Sequence, residues 1–193
     1  CDPAWDGGDG IIGTITAMTI PNVISSYQKD SYILQIRKVL NELDSSFDML
    51  ITEEGKQKLS QTSFFKDDDG IEKFIRNKMK VIKTCNASST ECFSDKDYKS
   101  IDGSESKAYK CSYKSYVLAN SAAVCMYKND NVISISIDTN GVDGPNIGGR
   151  DMFYIDINEN GEYVHWDPDK CIENSSGAGC IAKLQQANWK MNY

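Results

Sequence analysis

The amino-acid sequence predicts an α+β domain, and three observations predict it. Helical apolar periodicity fills the first part of the chain. Alternating, β-branched patterns fill the second part. Six cysteines fall in short-range groups across that second part, as in a disulfide-stapled head. With 193 residues, 40% of them apolar, the chain is long enough for one domain with a real core.

The first element is a long helix over 10–52. Its opening run, Gly10 to Ile24, carries no charge. Ile11, Ile12, Ile15, Met18, Ile20, Val23 and Ile24 make it apolar on all sides, and Pro21 should kink it by removing one backbone donor. As a helix those fifteen residues reach roughly 22 Å, short of a ~30 Å hydrocarbon core. From Lys29 onward the same helix turns amphipathic. Ile33, Ile36, Leu40, Leu43, Phe47 and Leu50 recur every three or four residues and form one stripe, which expects to lie on a sheet.

A polar link is expected from Glu53 to Asp69, then a second helix over "DDDGIEKFIRNKMKVIK". Asp67, Asp68 and Asp69 sit where the helix dipole favours negative charge, and Ile71, Phe74, Ile75 and Met79 give a buried face. Strands follow. "SYVLANSAAVCMY" reads as a strand or strand pair. "NVISISID" alternates, with Ile133, Ile135 and Ile137 on one face and Val132, Ser134 and Ser136 on the other. "DMFYIDINENGEYVHW" reads as a hairpin in which Asn160 and Gly161 supply two positive-φ turn positions.

The cysteines other than Cys1 are Cys85, Cys92, Cys111, Cys125, Cys171 and Cys180. None has the Cys-x-x-Cys spacing of a zinc or redox site, and one histidine, His165, cannot complete a Cys/His metal set. Three disulfides in an oxidising compartment are expected. Nearness in sequence favours Cys85–Cys92, Cys111–Cys125 and Cys171–Cys180, each worth about 2–3 kcal/mol in the chain-entropy account. The net charge of −7, with no stripe of Lys or Arg, argues against a nucleic-acid partner.

Catalytic patterns are absent from the sequence. It has no Gly-x-Ser-x-Gly, no phosphate loop and no dinucleotide fingerprint, so no enzyme activity is expected. "GPNIGG" reads as loop chemistry. The Asn86 and Asn174 glycosylation sequons read as accidental. One acidic loop is a candidate calcium site. Asp138, Asn140 and Asp143 place oxygens close together, Asp151 can join across the loop, and the residue twelfth in an EF-hand count is Gly149 rather than a glutamate. An ordinary Asx-rich turn explains the same residues.

Two stretches carry a family resemblance. "GIIGTITAMTIPNVISSYQK" resembles the second half of the N-terminal helix of the type IV pilin superfamily, which includes the pseudopilins of type II secretion, with Pro21 as the kinking proline. "IDTNGVDGPNIGGRDMFYIDINENG", together with the closing "GAGCIAKLQQANWKMNY", is similar to a branch of pilin-like proteins. The resemblance runs from Gly10 onward. Residues 1–9 depart from it: family members begin with an aromatic residue and an apolar run holding one glutamate, and neither Trp5 nor Asp6 matches that spacing. The expectation is a replaced or misassigned lead-in, the alternative being a native one that keeps the protein from entering a filament in the usual way.

The resemblance implies three parts: an irregular tail over 1–9, a hydrophobic assembly half over 10–28, and a pilin-like head over 29–193. It implies a structural subunit of a type IV pilus-like or secretion pseudopilus filament in the bacterial cell envelope. Such a subunit waits in the inner membrane, its head periplasmic or extracellular. Its partners would be copies of itself, related subunits and the inner-membrane assembly machinery. It also lends the calcium reading a parallel, since some pseudopilins bind calcium in a loop of similar placement. The rival reading is a cell-surface lipoprotein or extracellular binding module anchored through Cys1.

Overall fold

A computed structural model describes residues 12–164 and 166–193, with side chains described from Ser26 onward. The chain is α+β. The long helix α1 runs Ile12–Glu53 and is continuous through Pro21. A 3-10 turn at Leu59–Gln61, a single turn α2 at Ser63–Lys66 and the helix α3 at Gly70–Lys78 follow.

Among the described residues eight strands come next. They are β1 (Val81–Cys85), β2 (Tyr98–Lys99), β3 (Ser106–Lys107), β4 (Ser115–Leu118), β5 (Ala123–Asn129), β6 (Val132–Asp138), β7 (Met152–Asn158) and β8 (Tyr163–Val164). A short helix, α4 (Cys180–Gln186), closes the order. Six strands form one antiparallel sheet in the order β1-β4-β5-β6-β7-β8, and β2 and β3 make a small separate ribbon. From β4 to β8 the sheet is a meander. β1 reaches the outer side of β4 only after the excursion over 86–114.

Strand register divides the side chains between two faces. Ile133, Ile135 and Ile137 on β6 stand beside Ile157, Ile155 and Phe153 on β7, and beside Lys128, Met126 and Val124 on β5. These apolar residues share one buried cluster with Ile33, Ile36, Val39, Leu40, Leu43, Phe47 and Leu50 of α1. Phe64 and Phe74 join it, with Phe47 stacked on Phe74 at 4.9 Å between ring centres. The opposite face carries Cys125, Tyr127, Ser134, Ser136, Tyr154 and Asp156. Part of it is covered by a second cluster built from the 86–114 excursion, with Phe93, Tyr98 and both of its disulfides.

Three local expectations are corrected. The second helix stops at Lys78, and "VIK" enters β1, because Val81 and Lys83 pair with Leu118 and Val117 of β4, with a register irregularity at Ile82 between them. The stretch read as a polar link buries Leu59, Phe64 and Phe65. The β7–β8 connection is not a two-residue tight turn: of Asn160 and Gly161 only Gly161 takes positive φ, at 88°. There Asn158 Oδ1 accepts from the amides of Asn160 and Glu162, at 2.9 and 3.0 Å, and shapes a longer loop.

Candidate functional site

The expected assembly segment is Ile11, Ile12, Ile15, Met18, Ile20, Pro21, Val23 and Ile24. Ile11 lies outside the described residues, as do the side chains of the other seven, whose backbone is helical. Residues 1–9, Cys1 and His165 also lie outside them. Side-chain description begins at Ser26, and the first buried residue of α1 is Ile33. Ser26, Tyr27, Gln28 and Asp30 are exposed, Tyr27 by 76%. Among the described residues no helix is long and apolar enough to cross a membrane.

Beyond Ile33 polar contacts add to the buried stripe. Tyr163 Oη donates to Asp44 Oδ1 at 2.5 Å. Burial, then that carboxylate, pushes the Tyr163 phenol pKa well up, so the hydroxyl keeps its proton. The Arg37 guanidinium lies 5.3 Å over the Trp189 ring. Ser46 Oγ donates to the Lys78 carbonyl at 3.3 Å, and Lys78 pairs with Glu53.

The acidic loop between β6 and β7 brings Asp138 and Asp151 together in a buried place, both without solvent exposure. Their oxygens are engaged by protein donors. Asp138 Oδ2 accepts from Tyr98 Oη at 2.6 Å and its Oδ1 from the Asn140 amide at 3.1 Å. Asp151 accepts from the amides of Asn146 and Ile147 at 2.7 and 2.6 Å. Asn140 Nδ2 donates to the Gly144 carbonyl at 2.8 Å, and Asp143 stands exposed. Burial raises the pKa of both carboxyls, and the charge of Asp151 raises that of Asp138 further. Of the four side chains named for calcium, the two buried carboxylates, Asp138 and Asp151, thus pin the loop. Asn140 Oδ1 and Asn146 Oδ1 are buried oxygens without a protein donor. Among the described residues no three His, Cys, Asp or Glu side chains group as a metal site.

The disulfides close as Cys85–Cys92, Cys111–Cys125 and Cys171–Cys180, the local pairing expected from spacing. The third explains "GPNIGG". Gly149 takes φ +79°, and a Cβ there would come within 2.5 Å of Cys180 Sγ. Gly177 comes as close from the other side: a Cβ on it would meet the Met152 carbonyl at 2.1 Å. The glycines let the Cys171–Cys180 loop seat directly on the start of β7.

A concavity on the second sheet face, about 510 Å³ in volume, involves none of these residues except Cys111 and Cys125. Its aromatic side chains include Tyr127, between Met126 and Lys128 on β5, and Tyr154, between Phe153 and Ile155 on β7. The β7 alternation is visible in "MFYIDIN", and Trp166 ends the stretch read as a hairpin, but the second strand there stops at Val164 and Trp166 follows it. Comparison with family models, curated proteins and solved structures finds no match to this chain.

Proposed function

We propose that the chain is a structural subunit of a type IV pilus-like or type II secretion pseudopilus filament, in the bacterial cell envelope. In this account the stripe of α1 lies across one sheet face in the pilin manner. The apolar half over 10–28 is buried by neighbouring subunits after waiting in the inner membrane. Copies of the chain and related subunits are the partners, placed by the inner-membrane assembly machinery, and the disulfide-bonded head stays periplasmic or extracellular.

One observation carries the proposal. α1 is 42 residues long, about 63 Å at about 1.5 Å per residue, yet its described side chains begin to be buried only at Ile33. The uncharged run from Gly10 to Ile24 lies ahead of that stripe in sequence, and an apolar run of this kind supports burial against another surface. Seven large apolar residues, at roughly 1.5–3 kcal/mol each when buried, supply a strong association term before entropic costs. The three disulfides suit a head that works outside the reducing cytoplasm.

The test places a charge in the apolar run. Ile15→Glu and Met18→Glu should abolish filament formation seen by electron microscopy, while the melting temperature of the head stays within about 2 °C, as expected for changes outside the core. Filaments of normal length from both variants would contradict the proposal.

A further inference from the structure

We infer that the groove on the second sheet face is a binding site for an uncharged oligosaccharide. Its floor is the Cys125–Ser136–Tyr154 row across β5, β6 and β7, flanked by Tyr127. One wall is the 109–113 segment, tied to the floor by the Cys111–Cys125 disulfide. The other is Trp166 with Asn174, Ser176 and Ala178. The volume, about 510 Å³, lies within the range of roughly 300–1,000 Å³ typical of small-molecule sites.

The aromatic rings are fixed before any ligand arrives. Trp166 Nε1 donates to Asp156 Oδ2 at 3.0 Å, and Ser134 Oγ donates to Asp156 Oδ1 at 2.7 Å. Tyr154 Oη in turn donates to Ser134 Oγ at 2.9 Å. Asp156 is buried, so one carboxylate beneath the groove orients both rings from behind. Tyr154 and Trp166 meet edge to face at 5.7 Å, and Tyr113 and Tyr127 lie nearly parallel at 5.1 Å. Yet Trp166 is 45% exposed and Tyr113 50% exposed. Large rings held rigid and left open to water form platforms that cost little entropy to use.

The chemistry of the lining selects the ligand. Ring faces suit the C–H-rich face of a pyranose. Ser112, Ser136 and Ser176 hydroxyls and the Asn174 amide at the same groove suit its hydroxyl groups. Among the described residues Lys110 is the one charged residue of the lining, too little for a phosphate or nucleic-acid backbone. Addition of a peptide as a further strand is blocked, because β5, β6 and β7 have a strand on each side. Recognition therefore rests on rings and hydroxyls. The inference stands on the head alone and does not depend on filament formation.

The test is titration of the full chain with neutral tetrasaccharides of glucose, galactose, mannose and N-acetylglucosamine, followed by calorimetry and by tryptophan fluorescence. At least one should bind saturably at up to millimolar concentration. Tyr113→Ala and Trp166→Ala should each weaken it by about threefold to tenfold or more. Trp166→Phe, which keeps a ring, should retain more affinity than Trp166→Ala. Leu34→Ala, on the exposed side of α1, should change nothing, and melting curves establish that each variant is folded. The inference is overturned if no neutral tetrasaccharide binds, if binding survives both alanine changes in folded protein, or if only a heparin tetrasaccharide or an apolar peptide binds.

Discussion

At the scale of single residues, Asp138 is the most consequential group in the head. It is buried beside Asp151, and both hold their protons more tightly folded than unfolded. A carboxyl with a raised folded pKa favours the folded state most below its unfolded value, near 4, and that advantage is lost as pH rises through the folded value. Glu72, Asp102 and Glu105 have lowered pKa values and pull the other way, but all three are largely solvated. The pair should therefore contribute a fall in stability as pH rises above about 4, and Asp138→Asn should flatten that part of the curve relative to the parent chain. Denaturant melts at several pH values check this, and an unchanged slope would refute it. Gly149 makes a second case. Gly149→Ala meets both a left-handed backbone and the Cys180 sulfur, so a loss of about 1–3 kcal/mol is expected. The role of Gly149 is not readable in "GPNIGG", because Cys180, which it approaches, lies some thirty positions away in sequence.

At the scale of elements, α1 divides into two regimes. Leu43 is fully buried in the cluster shared with β5, β6 and β7, while Leu34 is 67% exposed. Leu43→Ala should cost about 2–5 kcal/mol in urea unfolding, and Leu34→Ala no more than about 0.5 kcal/mol. Equal costs would mean that the stripe is not what holds the helix. Much of this was legible. Ile33 to Leu50 repeats over enough turns to establish a buried face, and Ile133, Ile135 and Ile137 alternate cleanly. Short segments were not legible. Leu59, Phe64 and Phe65 are too few and too irregular to show a period, and the start of β1 continues a helical pattern until its pairing with β4 decides otherwise. The groove was hidden for a related reason: its walls come from 109–113 and 166–178, which only the sheet and the disulfides bring together.

At the scale of the whole molecule, the described residues form one α+β fold with a long N-terminal helix, a six-stranded antiparallel sheet and three disulfides. The two sheet faces have separate tasks: one shares its core with α1, and the other, partly covered, presents rigid rings to solvent. The central claim is that the apolar half of α1 is covered by other copies of the chain. A photo-cross-linking residue placed at Ile15, in an equal mixture of ¹⁵N-labelled and unlabelled chains under assembling conditions, tests it most directly by mass spectrometry. The account predicts cross-links between labelled and unlabelled chains that map to residues 10–28. Cross-links confined to single chains and mapping to the β-sheet of the same head would contradict it.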